Sequence, residues 1–136
     1  MENFRRYNLI LGWGVFLVSL IVYLLTMEPT ASFWDCGEFI ATAYKMEVGH
    51  PPGAPFFMIL GRFFTLFAGG DVTKVAVSIN VLSALASAFT ILFLFWTLTH
   101  LVRKFFNKDE QKSPVAMISI FGAGLVGSLA YTFSDS

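Results

Sequence analysis

Charge is what this sequence has least of. Asp, Glu, Lys and Arg make up only 13% of its 136 residues, against about a quarter in an ordinary soluble domain. Hydrophobic residues make up 56%, and that imbalance points to lipid before any motif is considered. The formal net charge is zero, and no basic stripe replaces it locally, so nucleic acid is not an expected partner. A single cysteine, Cys36, excludes an intrachain disulfide and a cysteine zinc cluster. With only His50 and His100, a histidine-rich metal centre is excluded as well. No internal repeat, low-complexity tract or soluble domain is visible.

The apolar residues fall in blocks. Residues 9–26 and 115–133 carry no charge, and residues 75–101 carry none beyond the titratable His100. A membrane span needs roughly 20 apolar residues at about 1.5 Å each, so each block is near or above that length. Arg5 and Arg6 before the first block resemble the basic start of a signal peptide. The apolar run is longer than the roughly 7–15 residues of such a signal, however, and no good cleavage site follows. The fold class expected is therefore all-α: a polytopic membrane protein with three spans and a long outer loop, residues 27–74.

Arg5 and Arg6 precede the first span, and Arg103, Lys104, Lys108 and Lys112 lie between the second and third. The positive-inside rule places these residues, and the N-terminus, in the cytoplasm. The loop 27–74 is then on the outer side. The chain reads as the single N-terminal transmembrane region of a longer protein, since Ser134-Asp135-Ser136 does not look like a finished end.

The loop holds most of the chemistry. Ser32 followed three residues later by Asp35 reads as a capping-box variant, opening a helix over about 33–48. Asp35, Glu38, Thr42 and Lys45 recur at spacings of three and four and share one polar face. The pattern is that of an amphipathic helix lying at the membrane surface. Gly49-His50-Pro51-Pro52-Gly53 breaks it. Pro55 starts a second, strongly apolar helix over about 55–67, too short to span, with Arg62 in its middle. Gly69-Gly70 ends that helix, and Asp71 is placed to cap the second span. Asn80, inside that span, is expected to bond across helices. Ser83, Ala84, Ser87 and Ala88, and Ala123, Gly124, Gly127 and Ser128, are small residues suited to close helix packing.

Spacing alone leaves two readings of Asp35 and Glu38. Acids in a first helical turn offset the helix macrodipole; they can equally serve as a general base or as ligands of a cation at the lipid–water boundary. His50 alone reads as a turn histidine bonded locally. Cys36 lies next to Asp35, which disfavours a nucleophilic thiolate.

Taken together, Phe33-Trp34-Asp35-Cys36-Gly37-Glu38-Phe39 and then Gly49-His50-Pro51-Pro52-Gly53, after a first span entered from the cytoplasm, resemble the first outer loop of the GT-C glycosyltransferases. The likeness is greatest to the glycosyltransferase 117 family, formerly a domain of unknown function and similar to protein O-mannosyltransferases. Cys36 and Gly37 separate the two acids, which are adjacent in the mannosyltransferases, so either carboxylate can take the base role. The resemblance implies an inverting membrane glycosyltransferase in which a polyprenyl-phosphate sugar is the donor. The acceptor is a hydroxyl on a protein, lipid or glycan. Asp35 and Glu38 are then the catalytic candidates, and His50, Lys45 and Arg62 bind substrate, above all the leaving phosphate; Arg62 reads equally as a snorkelling interfacial anchor. A divalent cation is the one cofactor to consider. Membrane lipids and the C-terminal remainder of the protein are the other expected partners, and a fragment of this length is expected to be inactive alone. The resemblance places the protein in a bacterial inner membrane with residues 27–74 in the periplasm. The competing reading is a non-enzymatic transporter or scaffold; clean spans with the charges outside them count against transport.

Overall fold

The computed structural model describes residues 2–32, 34–51, 53–107 and 109–134. Phe33 as the start of the loop helix, Pro52 of the double-proline turn, Lys108 of the basic loop and the last two residues lie outside the described set, as does the side chain of Lys112. The described residues form five α-helices: α1 (Glu2–Thr26), α2 (Cys36–Lys45), α3 (Pro55–Thr65), α4 (Val75–Arg103) and α5 (Pro114–Thr132). No strand occurs among the described residues. Three helical stretches, Asn3–Thr26, Val72–Arg103 and Pro114–Thr132, are long and apolar enough to cross a membrane. They coincide with the three blocks read from the sequence. The first starts earlier than residue 9, because Asn3 to Asn8 continue the helix although Asn3, Arg5, Arg6 and Asn8 are polar or charged.

The chain forms two compact units, Met1–Leu25 with Ala86–Ser136, and Thr26–Leu85. In the first, Val15, Ile91 and Phe95 form a buried core against which Leu11, Trp96, Phe121 and Leu125 pack. Small residues set the spacing there. A Cβ on Gly124 would lie 2.7 Å from the Thr99 methyl and 2.9 Å from the Phe95 ring, and one on Gly127 would lie 2.6 Å from Leu98. These glycines therefore admit large side chains of α4 directly onto the α5 backbone, as small residues do in membrane bundles. Buried hydroxyls are satisfied within the unit. Ser19 and Thr132 share a 2.8 Å hydrogen bond, and Ser128 donates to the Gly124 carbonyl at 2.7 Å. Ser113 caps α5 by accepting the Ala116 N–H, with Pro114 at the first helical position.

The second unit is a helical hairpin, α2 and α3, followed by the start of α4. Its core is Ala43, Met58, Ala68, Val75 and Ile79, with Phe39, Tyr44 and Phe57 packed around them. The helices touch where Ala43 is fully buried and Gly61 has no side chain; a Cβ on Gly61 would lie 2.8 Å from that of Ala43. The 3-10 turn Leu66–Ala68 ends at Gly69, and Gly69 and Gly70 both take positive φ. Asp71 then accepts the Thr73 N–H at 3.0 Å and caps the turn leading into α4, as its position suggested.

Four local expectations are corrected. The loop helix is shorter than 33–48: Trp34, with φ 61°, cannot belong to a right-handed helix, and Met46, with φ 57°, ends it after Lys45. The capping box is absent, because Asp35 is itself the residue preceding the first helical position and its side chain caps nothing. Thr42 is buried rather than on a wet polar face; its hydroxyl donates to the Glu38 carbonyl at 2.7 Å and meets Met58 Sδ at 3.2 Å. Asn80 also differs, since its amide donates to the carbonyls of Glu28 and Thr30, anchoring the start of the loop rather than joining two helices.

Candidate functional site

The residues around the start of α2 build the site. The Asp35 carbonyl accepts the Phe39 N–H at 2.9 Å, which fixes Asp35 as the N-terminal boundary of the helix. An aspartate there ordinarily turns its carboxylate onto the second or third helical N–H. Asp35 does not. Its Oδ2 instead lies 3.9 Å from His50 Nε2. Glu38, one turn on, also turns away from its own helix. Its Oε1 accepts the His50 backbone N–H at 2.7 Å, and its Oε2 lies 2.8 Å from His50 Nδ1. An ionised carboxylate only accepts, so Nδ1 carries the proton in this contact.

Gly49 makes the approach workable, because a Cβ there would lie 3.0 Å from Glu38 Oε1. The Gly49-His50 step is followed by a tight turn in which the Gly53 N–H reaches the His50 carbonyl at 2.9 Å. Gly53 sits at φ 72°, a conformation that costs glycine little.

These contacts shift both partners. The His50 backbone and ring donors hold Glu38 below its ordinary value, and Glu38, with a further contribution from Asp35, raises His50 above its ordinary 6.5. The side chains remain open to solvent: 60% of Asp35, 51% of His50 and 38% of Glu38 is accessible. A dissolved or membrane-borne reactant can therefore reach them.

Asp35, Glu38 and His50 each offer a ligand atom, all within 4.8 Å of one another. Two carboxylates and an imidazole suit a divalent cation in donor type. Glu38 and Nδ1 are occupied with each other, however, so Asp35 and Nε2 are the pair left open to an ion.

The other two sequence candidates do not join this cluster. Lys45 ends α2, about 15 Å along the helix from Asp35, and pairs at 4.0 Å with Glu47. Arg62 donates to the Tyr44 carbonyl at 2.6 Å and lies over the Tyr44 ring, 5.6 Å from its centre. It satisfies the C-terminal end of α2, the favourable end for a cation, and ties α3 to it. Sequence reading did not single out Gly49 as part of the site. A glycine immediately before the histidine of the turn was the only signal, and it becomes legible once Glu38 is known to reach across.

This is an all-helical membrane protein that gathers two carboxylates and an imidazole, exposed, at the head of a short loop helix. The chain belongs to the family described as the protein O-mannosyl-transferase TMEM260 N-terminal domain, whose model matches residues 35–136 and so begins at Asp35 itself. It is 32% identical over 83 residues to protein O-mannosyl-transferase tmem260 of Dictyostelium discoideum, covering 61% of this chain and 10% of that protein. It is 36% identical over 89 residues to protein O-mannosyl-transferase TMEM260 of Mus musculus, covering 65% of this chain and 12% of that protein. The chain thus spans about a tenth of the length of these relatives. No solved structure matches it.

Proposed function

We propose that the protein containing this chain is a membrane glycosyltransferase that moves a sugar from a polyprenyl-phosphate carrier to an acceptor hydroxyl, with mannose the first sugar to test. Family membership and the relatives' names support the transferase class. One observation carries the site: two acids at a helix start leave that helix uncapped and converge on a histidine 12 residues beyond the second of them. Acids serving only the helix would have no reason to do so.

In this reading the acceptor O–H gives its proton to the Asp35 carboxylate. The hydroxyl oxygen forms a bond to the anomeric carbon from the face opposite the carrier. The bond from that carbon to the phosphate oxygen breaks, its electron pair leaves with the polyprenyl phosphate, and the configuration inverts. Protonated His50 is the cation beside Asp35 and faces the acceptor, on the side of the anomeric carbon opposite the departing phosphate. Lys45 and Arg62, read from the sequence as phosphate ligands, have other partners in this chain, so the phosphate's partners belong to the rest of the protein. GT-C architecture, an outward-facing loop and the bacterial inner membrane belong to the same proposal.

The test is Asp35→Asn in the full-length protein, assayed with a panel of polyprenyl-phosphate sugars. Transfer is expected to vanish while membrane insertion and helical content stay at wild-type level. Normal turnover by that variant would remove Asp35 from the reacting centre. A wild-type protein inert toward every carrier-linked sugar, but binding a partner through residues 27–74, would favour the scaffold reading.

A further inference from the structure

We infer that Glu38 is a positioning residue that acts on Asp35 through His50, and that Asp35 alone takes the acceptor's proton. The inference rests on the glycosyltransferase reading above and decides between its two carboxylates. Both Glu38 oxygens are committed to His50, one to the backbone N–H and one to the ring. A carboxylate serving two donors is stabilised as the anion and weakened as a base; the lowered value of Glu38 agrees. Among the described residues Asp35 accepts no such pair of bonds, and its side chain caps no helix.

The imidazole has its two nitrogens on different edges, and a bond at one sets what the other presents. Glu38 holds Nδ1 from behind, so Nε2 faces Asp35 at 3.9 Å. That separation is too long for a direct hydrogen bond, but a hydroxyl oxygen could sit about 2.8 Å from both atoms. With the ring protonated, Nε2–H would meet a lone pair of the hydroxyl and leave its O–H aimed at Asp35. The pattern is that of a base and an orienting group fixed by a third residue. The clamp also crosses from the first turn of α2 to the turn preceding α3, so packing of the hairpin holds its geometry. Among the described residues, Glu38 and Asp35 are the titratable groups recorded against His50; Arg62 of α3 is turned to Tyr44.

The experiment uses the full-length protein and compares wild type, Asp35→Asn, Glu38→Gln, His50→Ala and the Glu38→Gln/His50→Ala double variant. Glu38→Gln is expected to lower kcat/KM by about 10- to 100-fold, the range known for carboxylates that orient a metal-ligating histidine. Its alkaline limb should move to lower pH, because His50 loses the group that raises it. Adding Glu38→Gln to His50→Ala should cost no more than about a further twofold, since the two act as one unit. Glu38→Gln as inactive as Asp35→Asn at every pH, or losses that multiply in the double variant, would overturn the inference.

A second readout needs no activity. In full-length protein carrying 13C-labelled histidine, the signal that His50→Ala removes should titrate above 6.5 and fall in Glu38→Gln. An unmoved titration overturns the clamp whether or not sugar is transferred. Wild-type rates in Asp35→Asn with the histidine shift intact overturn instead the base assignment. Should Glu38→Gln lose its helical fold, Glu38→Asp keeps the charge, shortens the reach by one methylene and is read the same way.

Discussion

Exchanging the residues at the closest point of the α2–α3 hairpin gives a sharp test of its packing. Ala43 is fully buried, and a methyl on Gly61 would sit 2.8 Å from the Ala43 methyl. Carbon atoms in contact prefer about 3.5–4.0 Å, so Gly61→Ala pushes the helices apart. Such overpacking costs about 1–3 kcal/mol, of which alanine's better helix propensity returns about 1 kcal/mol. Ala43→Gly loses about the same 1 kcal/mol of propensity and about 0.8 kcal/mol for one buried methyl. The two single variants therefore sum to about 2–4 kcal/mol of destabilisation. The swap, Ala43→Gly with Gly61→Ala, restores one methyl to the same contact and exchanges one glycine for another. Its cost should be within about 0.5 kcal/mol of zero, so the coupling is about 2 kcal/mol or more. Hydrogen exchange of α2 and α3 amides in the full-length protein reads local opening directly. A single variant destabilised by about 2 kcal/mol should exchange roughly 30-fold faster, and the swap should return to the wild-type rate. A swap as labile as the two singles combined would mean the helices do not meet at these residues.

Two further outcomes follow from the same geometry. Gly124→Val would press on Phe95 and Thr99 and should cost about 1–3 kcal/mol, seen as a lower melting temperature in detergent; Gly122→Ala, which meets nothing within 4 Å, should not lower it and should raise it slightly through helix propensity. The Glu38–His50 tie should stiffen the hairpin fully between pH 4.5 and 6.5, the ordinary values of its partners. Glu38 is lowered by the fold, so its contribution is lost as pH falls through that lowered value; His50 is raised, so its contribution is lost as pH rises through the raised one. Exchange of the Gly49, His50 and Gly53 amides, corrected for intrinsic rates, should be slowest inside that window, and a steady trend across it would refute the tie.

The three spans were legible because lipid imposes a length and an absence of charge that few other environments demand. The second loop helix was legible too, since Pro55 and Gly69-Gly70 punctuate it at both ends. The first was not. Its limits are set by positive φ at Trp34 and Met46, residue types that give no such warning. Thr42 matched the polar spacing of its neighbours yet is buried, because its hydroxyl can be satisfied by the Glu38 carbonyl of its own helix. Arg62 was read for its charge as a phosphate ligand or an interfacial anchor; its role at the end of α2 depends on which helix it packs against. The site itself was half legible. Asp35, Glu38 and His50 were picked out, but spacing could not tell a helix cap from a reacting group. That distinction depends on where each carboxylate turns, and His50 is 12 residues from Glu38, beyond any helical period.

The same contacts bear on whether a divalent cation takes part. In the proposed reaction a phosphodiester approaching this cluster would meet two carboxylates and one imidazole, a net negative charge even with the ring protonated. Solvent softens the repulsion, because all three side chains are exposed. A metal ion would remove it, but the clamp limits how one could bind. With Nδ1 and Glu38 committed to each other, an ion would take Asp35 Oδ2 and His50 Nε2, and a metal-bound nitrogen cannot keep its proton. Proton and cation are thus alternatives at one atom. The proton leaves Nε2 a donor that can orient a hydroxyl; the cation would make it a ligand and place the positive charge on Asp35, weakening that residue as a base. Asp35 acting as the base through a bound hydroxyl therefore goes with the protonated ring, and Glu38, by raising His50, favours that state.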